Sequence, residues 1–225
     1  MSIAGKLYGR LVDAAGEVWQ AYTRHEFVLR LAQGDLPEAA FRRYLVQDYL
    51  FLLHFARAWG LAVYKSDTLA EMRRAQSLVA ATLDVEIGLH IDYCRGWGLS
   101  EGAMNAESEA PQTVAYTRFV LDRGVAGDRL DLEIALAPCM IGYAEIAAER
   151  IADPATRHDG NPYRDWLQMY AGDEYQQLAH DAAAALDEQF ARRGGEGRLP
   201  ALAAAFTTAA RLEADFWQMG LAAAR

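Results

Sequence analysis

The chain has 225 residues, 52% of them hydrophobic, and sets 22 lysines and arginines against 31 aspartates and glutamates for a net charge of -9. That balance offers no broad basic footprint for nucleic acid, and the basic pairs Arg42-Arg43, Arg73-Arg74 and Arg192-Arg193 stand isolated. Polar residues break the apolar stretches every few positions, as His54 and Arg57 do between Phe51 and Val63, so neither a transmembrane span nor a membrane partner is expected.

In chain order, Ile3, Leu7, Leu11, Ala14, Val18 and Tyr22 recur at spacings of three and four and predict one amphipathic helix capped by Ser2. Pro37, at a first-turn position, opens a long second helix through Phe41, Tyr44, Leu45, Asp48 and Leu52 towards Tyr64. A third helix is expected from near Thr68 to Tyr93, ending at Gly96-Trp97-Gly98. Leu99 to Ala110 reads as polar loop, Pro111 starts a helix carrying Tyr116, Phe119 and Val120, and Gly124 to Gly127 reads as a turn. Asp128 to Ala152 is apolar nearly all round and so should be central. Beyond a loop over Asp153 to Asn161, a short helix spans Pro162 to Tyr170, and Asp173 caps another through Arg192. Gly194-Gly195 ends that one, and Leu199-Pro200 begins the last, which reaches Leu221. No alternating strand pattern, internal repeat or linker is visible. The expectation is a single all-α domain over residues 1–225, built from about eight helices, with a site between facing helices.

The N-terminus lacks the basic and apolar blocks of a secretory signal. Cys94 and Cys139 make neither a disulfide framework nor a CxxC site, and a reducing cytoplasm is the expected compartment.

Cys139 follows Pro138 inside the apolar run Leu136 to Tyr143. Proline removes a backbone donor and bends a helix, so the thiol falls at a break in a buried segment. A nucleophile fits there, and so does a cysteine packed as a small hydrophobe, which is the commoner fate. Asp48, Glu145 and Glu213 sit where patterning predicts burial; each suits acid or base work or a buried ion pair. Tyr49, Phe51, Tyr116, Tyr143, Tyr170, Phe216 and Trp217 offer faces for a flat ligand, although each alone is ordinary core material. Asp84, Glu86, His90 and Asp92 cluster on one helix, but no second Glu and His pair matches them, which favours a solvated face over a metal site. Zinc motifs and phosphate loops are absent.

Five segments in register carry a resemblance: Tyr44-Leu45-Val46-Gln47-Asp48-Tyr49, Asp84 to His90, Ala137-Pro138-Cys139, Asn161-Pro162-Tyr163-Arg164-Asp165-Trp166, and Glu213-Ala214-Asp215-Phe216-Trp217. Together they resemble the TenA family, thiaminase II or aminopyrimidine aminohydrolase, in its cysteine-containing branch. The resemblance implies a haem-oxygenase-like helical bundle, usually a homotetramer, that needs no metal or organic cofactor. It implies hydrolysis at the aminomethyl carbon of a 4-amino-2-methylpyrimidine, in thiamine salvage. Cys139 matches the nucleophile, Asp48 the acid that grips the ring nitrogen and amino group, and Glu213 the acid/base for leaving group and water. Tyr116 and Tyr143 match polar groups near the thiol, and Phe51 and Tyr170 fall where the family stacks the ring. Phe51 stands where some relatives carry tyrosine, and Ala214 and Asp215 are smaller and more polar than expected, with an effect on the rim of the pocket. The competing expectation is a metal-dependent oxygenase, with Glu86 and His90 among its ligands, or a ligand-binding regulator on the same fold.

Overall fold

The computed structural model describes Ile3 and residues 5–224, so the Ser2 cap lies outside the described residues. Among them the chain forms thirteen α-helices and two short π-helical turns, with no strand. The first expected helix is two, α1 (Lys6–Ala15) and α2 (Glu17–Thr23), because Gly16 between them takes φ +49° and cannot continue an α-helix. A helix that the apolar pattern did not reveal, α3 (Glu26–Gln33), follows; His25 Nδ1 accepts from the Phe27 N–H at its start, and left-handed Gly34 ends it. The long α4 (Glu38–Tyr64) has Pro37 at its N-cap.

Thr68 and Glu71 form a reciprocal capping box that opens α5 (Leu69–Ala80). The chain then widens into a π turn, Ala81–Glu86, before α6 (Ile87–Gly96), so the third expected helix is continuous but not regular. The expected polar loop contains a short helix, α7 (Glu101–Asn105). In α8 (Pro111–Ala126), Gly124 is helical and only Gly127 turns; a Cβ on Gly124 would meet Leu61 and Leu132 at 2.8 Å, so the glycine serves close packing. The expected central helix is α9 (Arg129–Ala137), a π turn (Pro138–Gly142) and α10 (Tyr143–Ala152). Pro138 has no N–H and its ring crowds the preceding turn, so the α ladder cannot run through it. Then come α11 (Arg164–Ala171), α12 (Asp173–Arg193), whose N-cap is Gly172 rather than Asp173, and α13 (Leu199–Ala222).

Every residue of α9 is buried. Around it pack α8, α12 and α13, while α4 lies against α5, α8 and α13, so one hydrophobic core runs from Ile3 to Leu221. Arg129, 1% exposed, is paired inside this core: it binds Glu133 at 2.6 Å and the Ser66 hydroxyl at 2.6 Å. Glu71 ties the start of α5 to Gln189 and Arg192 on α12. The two π turns break helices that face this same interior, and that is where the chemistry gathers.

Candidate active site

A π turn carries one residue more than regular helix spacing allows, which re-aims side chains and recurs at functional sites. The turn after α9 presents Cys139, which keeps part of its surface accessible while Pro138 and Met140 on either side are buried. The Tyr22 hydroxyl donates to the Pro138 carbonyl at 3.0 Å. Gly142 makes that reach feasible: a Cβ there would lie 2.6 Å from Tyr22 Cε1 and 2.9 Å from its hydroxyl. The turn after α5 presents Glu86 towards Tyr170 of α11, whose hydroxyl donates to Glu86 Oε1 at 2.9 Å.

Three carboxyls bear on the sulfur. Burial pushes the Cys139 thiol well above its usual range, and the charges of Glu213, Glu86 and Asp48 push it further, so the group is a protonated thiol at neutral pH. On α13, Glu213 is 2% exposed and accepts from the Tyr116 hydroxyl of α8 at 2.9 Å. Burial raises its carboxyl well above the carboxylate range, against the pull of that hydrogen bond, which favours the protonated form that a general acid needs. Glu86 is pushed up to about 7 by burial, with Asp48 adding and His90 opposing. Asp48 on α4 accepts through Oδ2 from the Tyr44 hydroxyl at 2.9 Å and faces His90 Nε2 at 2.7 Å.

Aromatic rings pack around these groups. Phe51 lies 4.9 Å from Tyr116, and Tyr143 packs at 5.0 Å from Tyr170 and 5.2 Å from Trp217, centroid to centroid. The Trp166 indole donates to the Tyr44 oxygen at 3.2 Å. Cys139, Glu213, Asp48, Tyr116, Tyr143, Tyr170 and Phe51 thus converge from α4, α8, α10, α11, α13 and the second π turn.

Several expectations are corrected. Glu145 turns away to Tyr8 and is not among the charges that act on the thiol. Asp215 is exposed and its charge acts on His25. The acidic run on the third expected helix divides: Asp84 and Asp92 are exposed, whereas Glu86 and His90 point inward. A solvated face describes only half of it. Nor are Glu86 and His90 placed as a metal pair, since His90 Nδ1 is held by the Glu86 carbonyl at 2.8 Å and Nε2 by Asp48; among the described residues no three His, Cys, Asp or Glu side chains group as ligands. The sequence signal for the inward pair was its four-residue spacing, which puts both on one helix face. Tyr22 carried no such signal.

The described residues form an all-helical bundle whose interior gathers a thiol, three carboxyls and several tyrosines. Residues 12–223 match the TENA/THI-4/PQQC family profile. The chain is 35% identical to the aminopyrimidine aminohydrolase of Halalkalibacterium halodurans over 97% of this chain and 95% of that one. It is 27% identical to the aminopyrimidine aminohydrolase of Bacillus subtilis, over 92% and 86%. Among solved structures, a TenA family transcription regulator from a Silicibacter species superposes with a TM-score of 0.93 at 45% identity, covering 98% of this chain and 99% of that one. A TenA homologue from P. horikoshii gives 0.86 at 25% identity, covering 96% and 99%. The chain belongs to the TENA/THI-4/PQQC family, and it is a hydrolase. No helix among its described residues is long and apolar enough to cross a membrane.

Proposed function

We propose that the protein is a thiaminase II type hydrolase of thiamine salvage that converts 4-amino-5-aminomethyl-2-methylpyrimidine, and in principle thiamine, to the 5-hydroxymethyl compound, with Cys139 as nucleophile. The observation that carries this reading is the partly open thiol in its π turn with Glu213, Glu86 and Asp48 all acting on it. The Cys139 sulfur adds to an electron-poor carbon of the ring as its proton passes to the carboxyl cluster, and Asp48 binds the ring's nitrogen edge and shares the proton that the ring nitrogen gains. Glu213, held protonated, gives its proton to the departing amine as the bond to the exocyclic carbon breaks. The resulting carboxylate then takes a proton from water as its oxygen bonds to that carbon, and expulsion of the sulfur, which takes back a proton from the carboxyl cluster as the ring nitrogen gives up its own, restores the ring and the free enzyme. Tyr116 holds Glu213 between the two steps, Tyr143 lines the thiol side, and Phe51 and Tyr170 flank the ring.

A cytoplasmic homotetramer is part of the same reading. Tyr64, Leu69 and Val125 are 85%, 60% and 68% exposed, and Lys65 beside Tyr64 bonds the Val125 and Gly127 carbonyls, so the ends of α4 and α8 share an apolar surface suited to a second copy. Sedimentation tests the tetramer. Turnover of the aminomethylpyrimidine followed by mass spectrometry, with and without chelator and with Cys139→Ala alongside, tests the chemistry. Full turnover by that variant excludes the nucleophile assignment, and turnover abolished by chelator excludes the metal-free reading.

A further inference from the structure

The hydrogen bonds around His90 determine where its protons are. Nδ1 is 2.8 Å from the Glu86 carbonyl oxygen, which can only accept, so Nδ1 carries hydrogen. Nε2 then faces Asp48 Oδ2 at 2.7 Å. Two bare acceptors at that separation repel, so one proton lies on this line, on the imidazole or on the carboxyl. The Tyr44 hydroxyl takes the indole hydrogen of Trp166 on its oxygen and gives its own hydrogen to the same Oδ2. Oδ2 is engaged twice, and among the described residues no protein group bonds Oδ1. His90 is wholly buried and Asp48 is 4% exposed, so this arrangement is enclosed by protein.

We propose that His90 is the positioning residue for Asp48: anchored on the Glu86 carbonyl, it pins Oδ2 with a shared proton and leaves Oδ1 as the oxygen that meets the pyrimidine edge. The identity of the ligand rests on the thiaminase reading above; the pinning does not. The groups that face His90 are Asp48 with Tyr44 behind it on α4 and Glu86 on the π turn, itself bonded to Tyr170 of α11. Burial lowers the proton affinity of His90, but the Asp48 hydrogen bond and charge, then the Glu86 charge and carbonyl, outweigh it and the net shift is upward. The shared proton is therefore present below the ordinary histidine value of roughly 6.5 and persists above it. It is lost only as pH climbs through the raised value, and pyrimidine affinity falls there because Asp48 is then no longer held.

The test has a substrate-independent arm and a binding arm. With 15N-labelled histidine, the resonance that disappears in His90→Gln should show Nδ1 protonated throughout and a titration above the ordinary range. An Nδ1 that is bare in the neutral ring overturns the proposal. In the second arm, 4-amino-5-hydroxymethyl-2-methylpyrimidine is titrated calorimetrically from pH 5.5 to 9. His90→Ala should weaken binding by about tenfold or more, the cost of freeing a buried carboxylate partner. Gln, whose Nε2–H reaches the position of the imidazole Nε2 but does not titrate, should recover most of the affinity and flatten its pH dependence. A purely structural role would lower the melting temperature of both variants and leave that dependence as in wild type, which would refute the positioning. If His90→Ala fails to fold, the Gln variant alone decides through its pH profile. Wild type that shows the NMR signature but binds no aminopyrimidine supports the pinning and counts against the substrate reading.

Discussion

Gly142→Ala tests how the second π turn is held. The added Cβ would sit 2.6 Å from Tyr22 Cε1, 2.9 Å from its hydroxyl and 3.1 Å from Trp19, and neither ring has room to yield, since Tyr22 is fully buried and packs edge to face 5.3 Å from Trp19. Overpacking of this kind costs about 1–3 kcal/mol. Moving the Tyr22 ring also forfeits its bond to the Pro138 carbonyl, a further ~1 kcal/mol. At about 2–4 °C per kcal/mol for a chain this long, the melting temperature should fall by about 5–15 °C. Tyr22→Phe removes the hydrogen bond alone and should cost only ~1 kcal/mol. In the Gly142→Ala background it should cost almost nothing, since the bond is already lost. Iodoacetamide labelling of the folded protein reports the thiol separately: Cys94 is fully buried, so the rate belongs to Cys139 and should change in both variants. If Gly142→Ala melts within a degree of wild type and labels at the same rate, the packing argument for this turn is wrong.

Other expected outcomes follow from the same contacts. Glu213→Gln should lower kcat by about 10²- to 10⁴-fold, as loss of a general acid does. Tyr116→Phe, which removes only the bond that steadies Glu213, should fall between that and wild type; equal losses would show that Tyr116 does more than hold the carboxyl. Glu86 is held near 7 in the folded state against roughly 4.3 in an unfolded chain, so its contribution is present at low pH and is lost as pH rises through about 7. Glu86→Gln should therefore melt higher than wild type at pH 8 and no higher at pH 5; the reverse order contradicts the burial argument. Glu71 has the opposite sign. Burial pushes it up, but the Gln189 amide, the Asp67 N–H and Arg129 and Arg192 hold it at about 2, so its contribution is fully present above roughly 4.3 and is lost as pH falls from there through about 2. Glu71→Ala should cost about 3–5 kcal/mol in urea melts at neutral pH, and a loss below 1 kcal/mol would mean that the link between α5 and α12 is incidental.

Most of the long helices were legible because their apolar spacing and their stop signals agree: Pro37 and Pro111 open α4 and α8, and the Gly194-Gly195 pair closes α12. Short elements escaped. The eight residues of α3 rely on a His25 cap rather than a serine, threonine or aspartate, and Gly16 hides inside a period that runs unbroken across it. Within the site, Cys139, Asp48 and Glu213 could be singled out because a thiol after proline and acids among aromatics are unusual. His90 could not be placed, because a run that carries Asp84, Glu86, His90 and Asp92 reads as solvated, whereas Glu86 and His90 share the inward face and Asp92, two residues on and so on the other side, is exposed with Arg95. Tyr22 and Gly142 act through fit alone, and fit has no signature in a single sequence.

The two widened turns also say something about how such a pocket could be gained or lost. Each is one residue in excess of what a straight cylinder needs, so deleting a single codon at Ala81–Glu86 or at Pro138–Gly142 would heal the helix, leave the turns beyond it in phase, and re-aim only the side chains within the turn, Glu86 or Cys139 among them. Repair of the backbone and erasure of the pocket would be the same event, which makes local irregularity here something to be preserved even where it costs stability.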